Sequence, residues 1–276
     1  MKVRHATHPS ELEGLDSDRL RDRFVVDDLF VEGEVSLLYS HEDRMVVGGA
    51  VPVAGRPLRL ESAGPLRAEH FCERRELAVV CVGRAGHVEV DGHRYDLAHM
   101  DVLYVGRGAR DVVFGAETTG DAVFYLVSAL SHAAHPTTLV PLDQAHRTEA
   151  GAQETANRRV IYKHVHADGV PSSQLVLGIT VLEPGSVWNS MPPHVHDRRT
   201  EVYLYFDLPS EDRIVHMMGQ PDSTRSMVLR DRQAVISPSW SVHFGVGTRN
   251  YAFVWAMAGE NQSFADMDQV PVSALS

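Results

Sequence analysis

The sequence predicts an all-β protein built as two tandem β-barrels with a few short helices. Three observations carry this. Short β-rich runs recur at spacings near ten residues, punctuated by Gly or Asp-Gly, which is the pattern of a sandwich or barrel. The pattern fades between about Ser128 and Asn157 and then resumes. The stretches on either side also resemble each other. Glu73-Arg74-Arg75-Glu76-Leu77 leads into a strand-like run in the first, and Asp197-Arg198-Arg199-Thr200-Glu201-Val202 does so in the second. Tyr104-Val105-Gly106-Arg107-Gly108 parallels Ile236-Ser237-Pro238-Ser239-Trp240.

The elements follow in order. A short helix is expected through Arg19–Arg23, capped by Asp16 or Ser17, because either side chain can accept from a free backbone N–H of the first turn. Strands are expected near 34–39, 45–51, 77–82 and 87–90, the last ending at the turn Asp91-Gly92. Further strands are expected near 101–105 and 112–114. The polar run 136–158, with Gly, Pro and Gln, reads as a linker. Strands resume near 159–162, 174–182, 201–206, 213–218, 234–236 and 251–255. This divides the chain into a first barrel over 1–135, the linker, and a second barrel over 159–276.

Composition excludes several classes. The chain has 276 residues, 43% apolar and 23% charged, which suits a globular protein with a sizeable core. Lys and Arg number 26 against 37 Asp and Glu, a net charge of −11. That argues against a nucleic-acid partner, which demands a basic face. No apolar run approaches the length of a membrane span, and the N-terminal stretch has no apolar region of a secretory signal. Cys72 and Cys81 form no CxxC and read as two buried free thiols. The expected compartment is the cytoplasm.

Sixteen histidines make their spacing worth inspection. The informative run is Pro192-Pro193-His194-Val195-His196-Asp197-Arg198-Arg199-Thr200-Glu201. His194 and His196 are two apart, so on an extended chain they share a face. The spacing is not the helical one of zincin sites. Asp197 to Thr200 can turn the chain and bring the Glu201 carboxylate beside the imidazoles on the next strand. His243 follows Ser237-Pro238-Ser239-Trp240-Ser241-Val242. Three imidazoles and a carboxylate suit Zn²⁺, Fe²⁺, Mn²⁺ or Ni²⁺, and ligand type alone does not choose. A second pair, His164-Val165-His166, lacks a Glu at comparable spacing, with only Asp168 nearby.

His-x-His, four residues, Glu, then a distant Pro-x-x-x-x-His is similar to the two cupin motifs. In the usual second motif Gly sits two residues after the Pro, where this chain has Trp240. Longer runs resemble the 5-keto-4-deoxyuronate isomerase family. They are Tyr39-Ser40-His41-Glu42-Asp43-Arg44, Phe71-Cys72-Glu73-Arg74-Arg75-Glu76-Leu77 and His216-Met217-Met218-Gly219-Gln220-Pro221. Ala234 to Ser241 and Gly259-Glu260-Asn261-Gln262 resemble it as well. The resemblance implies a bicupin enzyme of pectin breakdown, one zinc per chain on His194, His196, Glu201 and His243, and a homo-hexamer. The first half has no His-x-His at the corresponding place, so a barrel without metal is expected there.

The implied reaction is an aldose–ketose isomerisation of 5-dehydro-4-deoxy-D-glucuronate to 3-deoxy-D-glycero-2,5-hexodiulosonate. It moves a hydrogen from C2 to C1, so a base or a hydride shift is needed. Glu260, Tyr205 and Lys163 are the candidate bases. The substrate is a small sugar acid, and a local cation must hold its carboxylate. Arg198 and Arg199 are nearest in sequence to the ligands, and alternation allows at most one to face the site. Trp240 either stacks on the sugar or packs in the core, and Met217 and Met218 read as core. Three other readings remain open at this level: a 5-deoxyglucuronate isomerase, a metal dioxygenase, and a non-catalytic sugar-binding protein.

Overall fold

The computed structural model describes residues 1–276. It is all-β apart from one α-helix, Ser17–Phe24, and five short 3₁₀ turns. Asp16 is the helix cap, accepting from the Arg19 N–H at 2.9 Å.

Four main sheets form in two pairs, each a seven-stranded and a four-stranded sheet. In the first large sheet the central strands run Val46–Ala50, Phe124–Leu130, Arg75–Cys81, Val102–Val105. In the second they run Val176–Leu182, Ala252–Gly259, Arg199–Phe206, Gln233–Ser237. The small sheets repeat in the same way. One runs Leu58–Arg59, Val112–Gly115, Ala85–Val90, His93–Ala98, and the other Trp188–Asn189, Val242–Gly247, Ile214–Gln220, Ser223–Leu229. The weak sequence repeat is thus a repeat of topology. Arg75 and Arg199 open equivalent strands, and Val102–Val105 answers to Gln233–Ser237.

The central strands are covered on both faces. Every residue of Arg75–Cys81 and of Arg199–Phe206 is buried. In the first barrel Leu77, Val79, Cys81, Val88, Phe114 and Phe124 belong to one continuous core.

The register of this core identifies what fills the place of the histidine–glutamate cluster. Leu77 pairs with Val105 as Glu201 pairs with Ser237. Two positions back, Arg75 pairs with Leu130 as Arg199 pairs with Gly259. Counted from the hairpin ends Val90↔His93 and Gln220↔Ser223, Phe114 opposite Val88 matches His243 opposite Met218. Leu77 and Phe114 are fully buried hydrocarbon with no ligand atom.

The compact units do not follow the division at 135 and 159. Residues 1–5, 28–145 and 164–177 form one, and residues 6–27, 146–163 and 178–276 form the other. The helix and Val25–Val26 join the second unit because Val25 pairs with Val235 and Val26 with Ala234 at its sheet edge. Leu20 and Phe24 bury the helix's apolar side. The stretch expected as a linker carries two edge strands. Thr138–Val140 pairs with Val102–Val105, and His146–Ala150 pairs with Arg159–Val165. Four of the five residues of His146–Ala150 are exposed, so no apolar alternation marks it in the sequence. Phe124–Leu130 is a further central strand, not among those expected from the sequence. Cys72 lies in a 3₁₀ turn and Cys81 ends a strand. Both are free and buried.

Candidate metal centre

The strand Arg199–Phe206 sets one side of the site. Its alternate residues Glu201 and Tyr203 line a cavity of about 210 Å³, and Tyr205 shares their face. His194 lies in the two-residue strand His194–Val195, which pairs with Asp268–Gln269. The chain then turns, with the Arg199 N–H donating to the His196 carbonyl at 3.0 Å. This turn returns Glu201 beside both imidazoles. His243 comes from Val242–Gly247 in the small sheet. The turn before it closes without the glycine of the usual motif. Ser241 N–H donates to Pro238 O at 2.9 Å, and Trp240 keeps a negative φ.

The four side chains converge. Their ligand atoms all lie within 4.8 Å of one another, and all four residues are buried. Ring centroids are 4.7 Å apart for His194 and His196, 4.8 Å for His194 and His243, and 5.1 Å for His196 and His243. One carboxylate oxygen of Glu201 lies 2.8 Å from His196 Nε2 and 2.6 Å from His243 Nε2.

Outer partners orient both rings. His196 Nδ1 donates to the Asp266 carbonyl at 3.0 Å, and His243 Nδ1 to the Ser241 carbonyl at 3.2 Å. Each ring therefore turns its Nε2 to the site. Both Nε2 atoms crowd one Glu201 oxygen, and His243 Nε2 is buried without hydrogen-bond geometry to any partner. Three imidazoles and a carboxylate gathered at one buried point are ligands that divalent metals take. The donor set therefore fits a divalent metal. Burial first, and the neighbouring His243 second, push the His194 pKa down to about 3, so this ring is neutral. Burial pushes the Glu201 carboxyl up, but His243 and His196 outweigh it and hold the group well below the usual carboxylate range.

Aromatic residues build the cavity wall. Trp255 packs at 5.1 Å on Phe264 and donates from Nε1 to Thr180 at 3.1 Å. A Cβ on Gly178 would stand 2.2 Å from the Trp255 ring, so only glycine leaves that ring its place. Tyr203 packs at 4.9 Å on Phe253, and its hydroxyl shares a 2.6 Å hydrogen bond with Ser190. Burial raises its pKa well above the ordinary value, so it keeps its proton. The segment 260–269 completes the wall with Phe264, Met267 and Gln269.

Several candidates from the sequence fall elsewhere. Glu260 is exposed and does not line the cavity. Tyr205 lies off the cavity lining, with its hydroxyl 2.8 Å from His216 Nδ1. Lys163 sits 5.1 Å over the Phe264 ring. Arg199 is no solvated turn residue. It is 0% exposed and donates to the carbonyls of Ser263 and Asp266 at 2.6 and 2.7 Å. Arg198 is bound to the Asp266 carboxylate through Nε and Nη2, and to Asp268 at 3.1 Å. Trp240 donates to the Thr7 carbonyl at 3.2 Å and meets Phe24 edge-on, a packing role. Met218 is fully buried, and Met217 is half-buried against Val242 and Phe244. His164 and His166 are buried but join no group of three or more metal-binding side chains. Sequence reasoning missed Tyr203, Trp255 and Arg159. The strand alternation from Glu201 could have found Tyr203.

Two β-barrels in one chain, with three histidines and one glutamate converging inside the second, define a bicupin with a candidate metal centre. The chain belongs to the KduI/IolB family, whose sequence model matches residues 25–272. A protein of Kineococcus radiotolerans named 4-deoxy-L-threo-5-hexosulose-uronate ketol-isomerase is 54% identical, with 100% of both chains covered. One of the same name from Halalkalibacterium halodurans is 48% identical, again over 100% of both. Among solved structures, an IolB-like protein of Salmonella typhimurium superposes with a TM-score of 0.72 at 15% identity, covering 90% of this chain and 96% of that one. Oxalate decarboxylase of Lactobacillus farciminis gives 0.56 at 11% identity, covering 79% and 78%. These structural likenesses bear on the fold alone.

Proposed function

We propose that the protein is a 4-deoxy-L-threo-5-hexosulose-uronate ketol-isomerase. It would convert 5-dehydro-4-deoxy-D-glucuronate to 3-deoxy-D-glycero-2,5-hexodiulosonate in the breakdown of pectin or a related uronan. His194, His196, Glu201 and His243 would hold one divalent metal per chain, with zinc as the favoured ion. The single observation behind the metal is the burial of three imidazoles and one carboxylate with their ligand atoms within 4.8 Å of one another. The reaction rests on the 54% and 48% identical full-length relatives. The name these relatives share favours the ketol-isomerase over a 5-deoxyglucuronate isomerase.

When bound, such a cation supplies a Lewis acid beside the substrate's C1 and C2 oxygens. The chain's own residues do the rest. Phe253, Trp255 and Phe264 give the cavity an apolar wall, which lowers the dielectric beside partial charges there. Tyr203 keeps its proton and, backed by Ser190, offers a hydrogen-bond donor to a substrate oxygen. Segment 260–269, tied down by Arg198 and Arg199, keeps the wall closed.

The first barrel is read as a metal-free partner of the second, with Leu77 and Phe114 where ligands would stand. We read the protein as cytoplasmic and homo-hexameric, from the family resemblance. No helix is long and apolar enough to cross a membrane.

The test is turnover of the keto-deoxyuronate by protein with its metal counted by mass spectrometry. About one metal per chain, loss of that metal in His196→Ala, and activity abolished by chelator are expected. Fully loaded protein that leaves the substrate unchanged overturns the reading.

A further inference from the structure

We infer that Arg159 is the anchor for the carboxylate of a sugar acid bound in the metal cavity. The inference rests on the proposed reading for the identity of the ligand. Its structural basis is separate.

Arg159 and Ile161 are two apart at the start of the strand Arg159–Val165, so their side chains share a face, and both line the cavity. Arg159 is the only lysine or arginine in the cavity wall, and Glu201 is the only acid there. That acid is engaged by His196 and His243. The guanidinium is held by one bond, from Nη1 to the Asn157 carbonyl at 2.8 Å. Asn157 is itself fixed, its side-chain oxygen accepting from Ala152 N–H at 2.9 Å and from the Thr155 hydroxyl at 2.7 Å. The remaining N–H groups of Arg159 have no protein acceptor, and no carboxylate pairs with it.

An arginine half-buried without a counter-ion is unusual in a chain with 37 acids against 26 bases. Burial lowers its pKa, while Tyr203 and Tyr251 act in the opposite direction. The desolvation of this charge is offset only if an anion enters. A planar guanidinium with free parallel donors matches a carboxylate in bidentate geometry. The other nearby cations are taken. Arg198 is paired with Asp266 and Asp268, Arg199 with backbone carbonyls, and Lys163 stands over Phe264. In an open-chain uronate the carboxylate and the C1 carbonyl are at opposite ends. One cavity that offers a guanidinium and a metal cluster can grip both, and so select for an acid over a neutral sugar.

The test uses D-glucuronate and D-glucose as probes, which differ at the carboxylate. Binding to the metal-loaded protein is measured by calorimetry for the parent, Arg159→Met and Arg159→Lys. Metal content and thermal midpoint are measured for each. The parent should prefer glucuronate by about ten-fold to hundred-fold, the range for hydrogen bonds to a charged group. Arg159→Met should erase the preference while leaving glucose binding unchanged. Arg159→Lys, which keeps the charge but loses the fork, should keep part of it. If Arg159→Met does not fold, Arg159→Lys carries the test, because it must weaken glucuronate and not glucose. A parent with no preference, or a preference undiminished in Arg159→Met and in Arg159→Lys, overturns the inference. Turnover is scored separately. A parent that selects glucuronate through Arg159 but never isomerises the keto-deoxyuronate sinks the isomerase reading alone. A parent that isomerises it with a KM unaltered in Arg159→Met sinks the anchor alone.

Discussion

The backbone carbonyl of Asp266 accepts the Nδ1–H of His196 at 3.0 Å, joining an imidazole of the candidate metal centre to the segment that walls the cavity. Arg199 donates to the same carbonyl at 2.7 Å, and Arg198 grips the Asp266 carboxylate, holding its pKa well below the usual range. The backbone and side chain of Asp266 thus have separate tasks. Arg199→Met should free the segment and lower metal affinity by about ten-fold to hundred-fold, the usual cost of losing an outer partner of a metal ligand. Asp266→Asn keeps the carbonyl and should leave affinity within a few-fold of the parent. Competition with a chromophoric chelator measures both, and equal losses in the two variants would refute the division.

His216 should make stability fall in acid. It is fully buried, hydrogen-bonded to Tyr205, and burial with His243 takes its pKa from 6.5 to about 3. Between those values the unfolded chain binds a proton that the folded chain does not, so stability rises with pH across the window and is lost as pH falls through it. His216→Gln should show a shallower fall of the urea midpoint from pH 6.5 to 4. An unchanged slope would mean that this histidine does not set it.

Leu77→Ala should cost about 2–5 kcal/mol of stability, since it opens a cavity in the first barrel's close-packed core. Denaturant unfolding measures the loss. A cost under about 1 kcal/mol would show that the core collapses to fill the gap.

The thiols of Cys72 and Cys81 should be inert in the native protein. Both are buried, and burial is the first cause pushing each up to about 12, so both stay protonated at neutral pH. A thiol-specific chromogenic reagent should find none in native protein and two after denaturation. Rapid native reaction would place one of them within reach of solvent.

The convergence of His194, His196 and Glu201 was legible in the sequence because their spacing is local. They lie within one short run, in which a period of two pairs the histidines and a four-residue turn returns the glutamate. The wall of the cavity was not legible, because Arg159, Trp255 and Phe264 reach it from distant segments through sheet order. The two arginines beside the ligands drew attention by proximity. Their partners, Asp266 and Ser263, lie more than sixty residues onward, where sequence spacing gives no guidance. The edge strand His146–Ala150 read as linker because an exposed edge needs no apolar face. The helix crossed to the second unit because pairing of Val25 and Val26 with Val235 and Ala234 is decided in three dimensions.

Leu77 and Phe114 give the protein an internal control. The same strand order closes around hydrocarbon in one barrel and around three histidines and a glutamate in the other. The strand order is compatible with either filling, and what sets the second barrel apart is four side chains rather than its frame. One topology serves twice in the chain, closed around hydrocarbon in one copy and around a cluster of polar donors in the other.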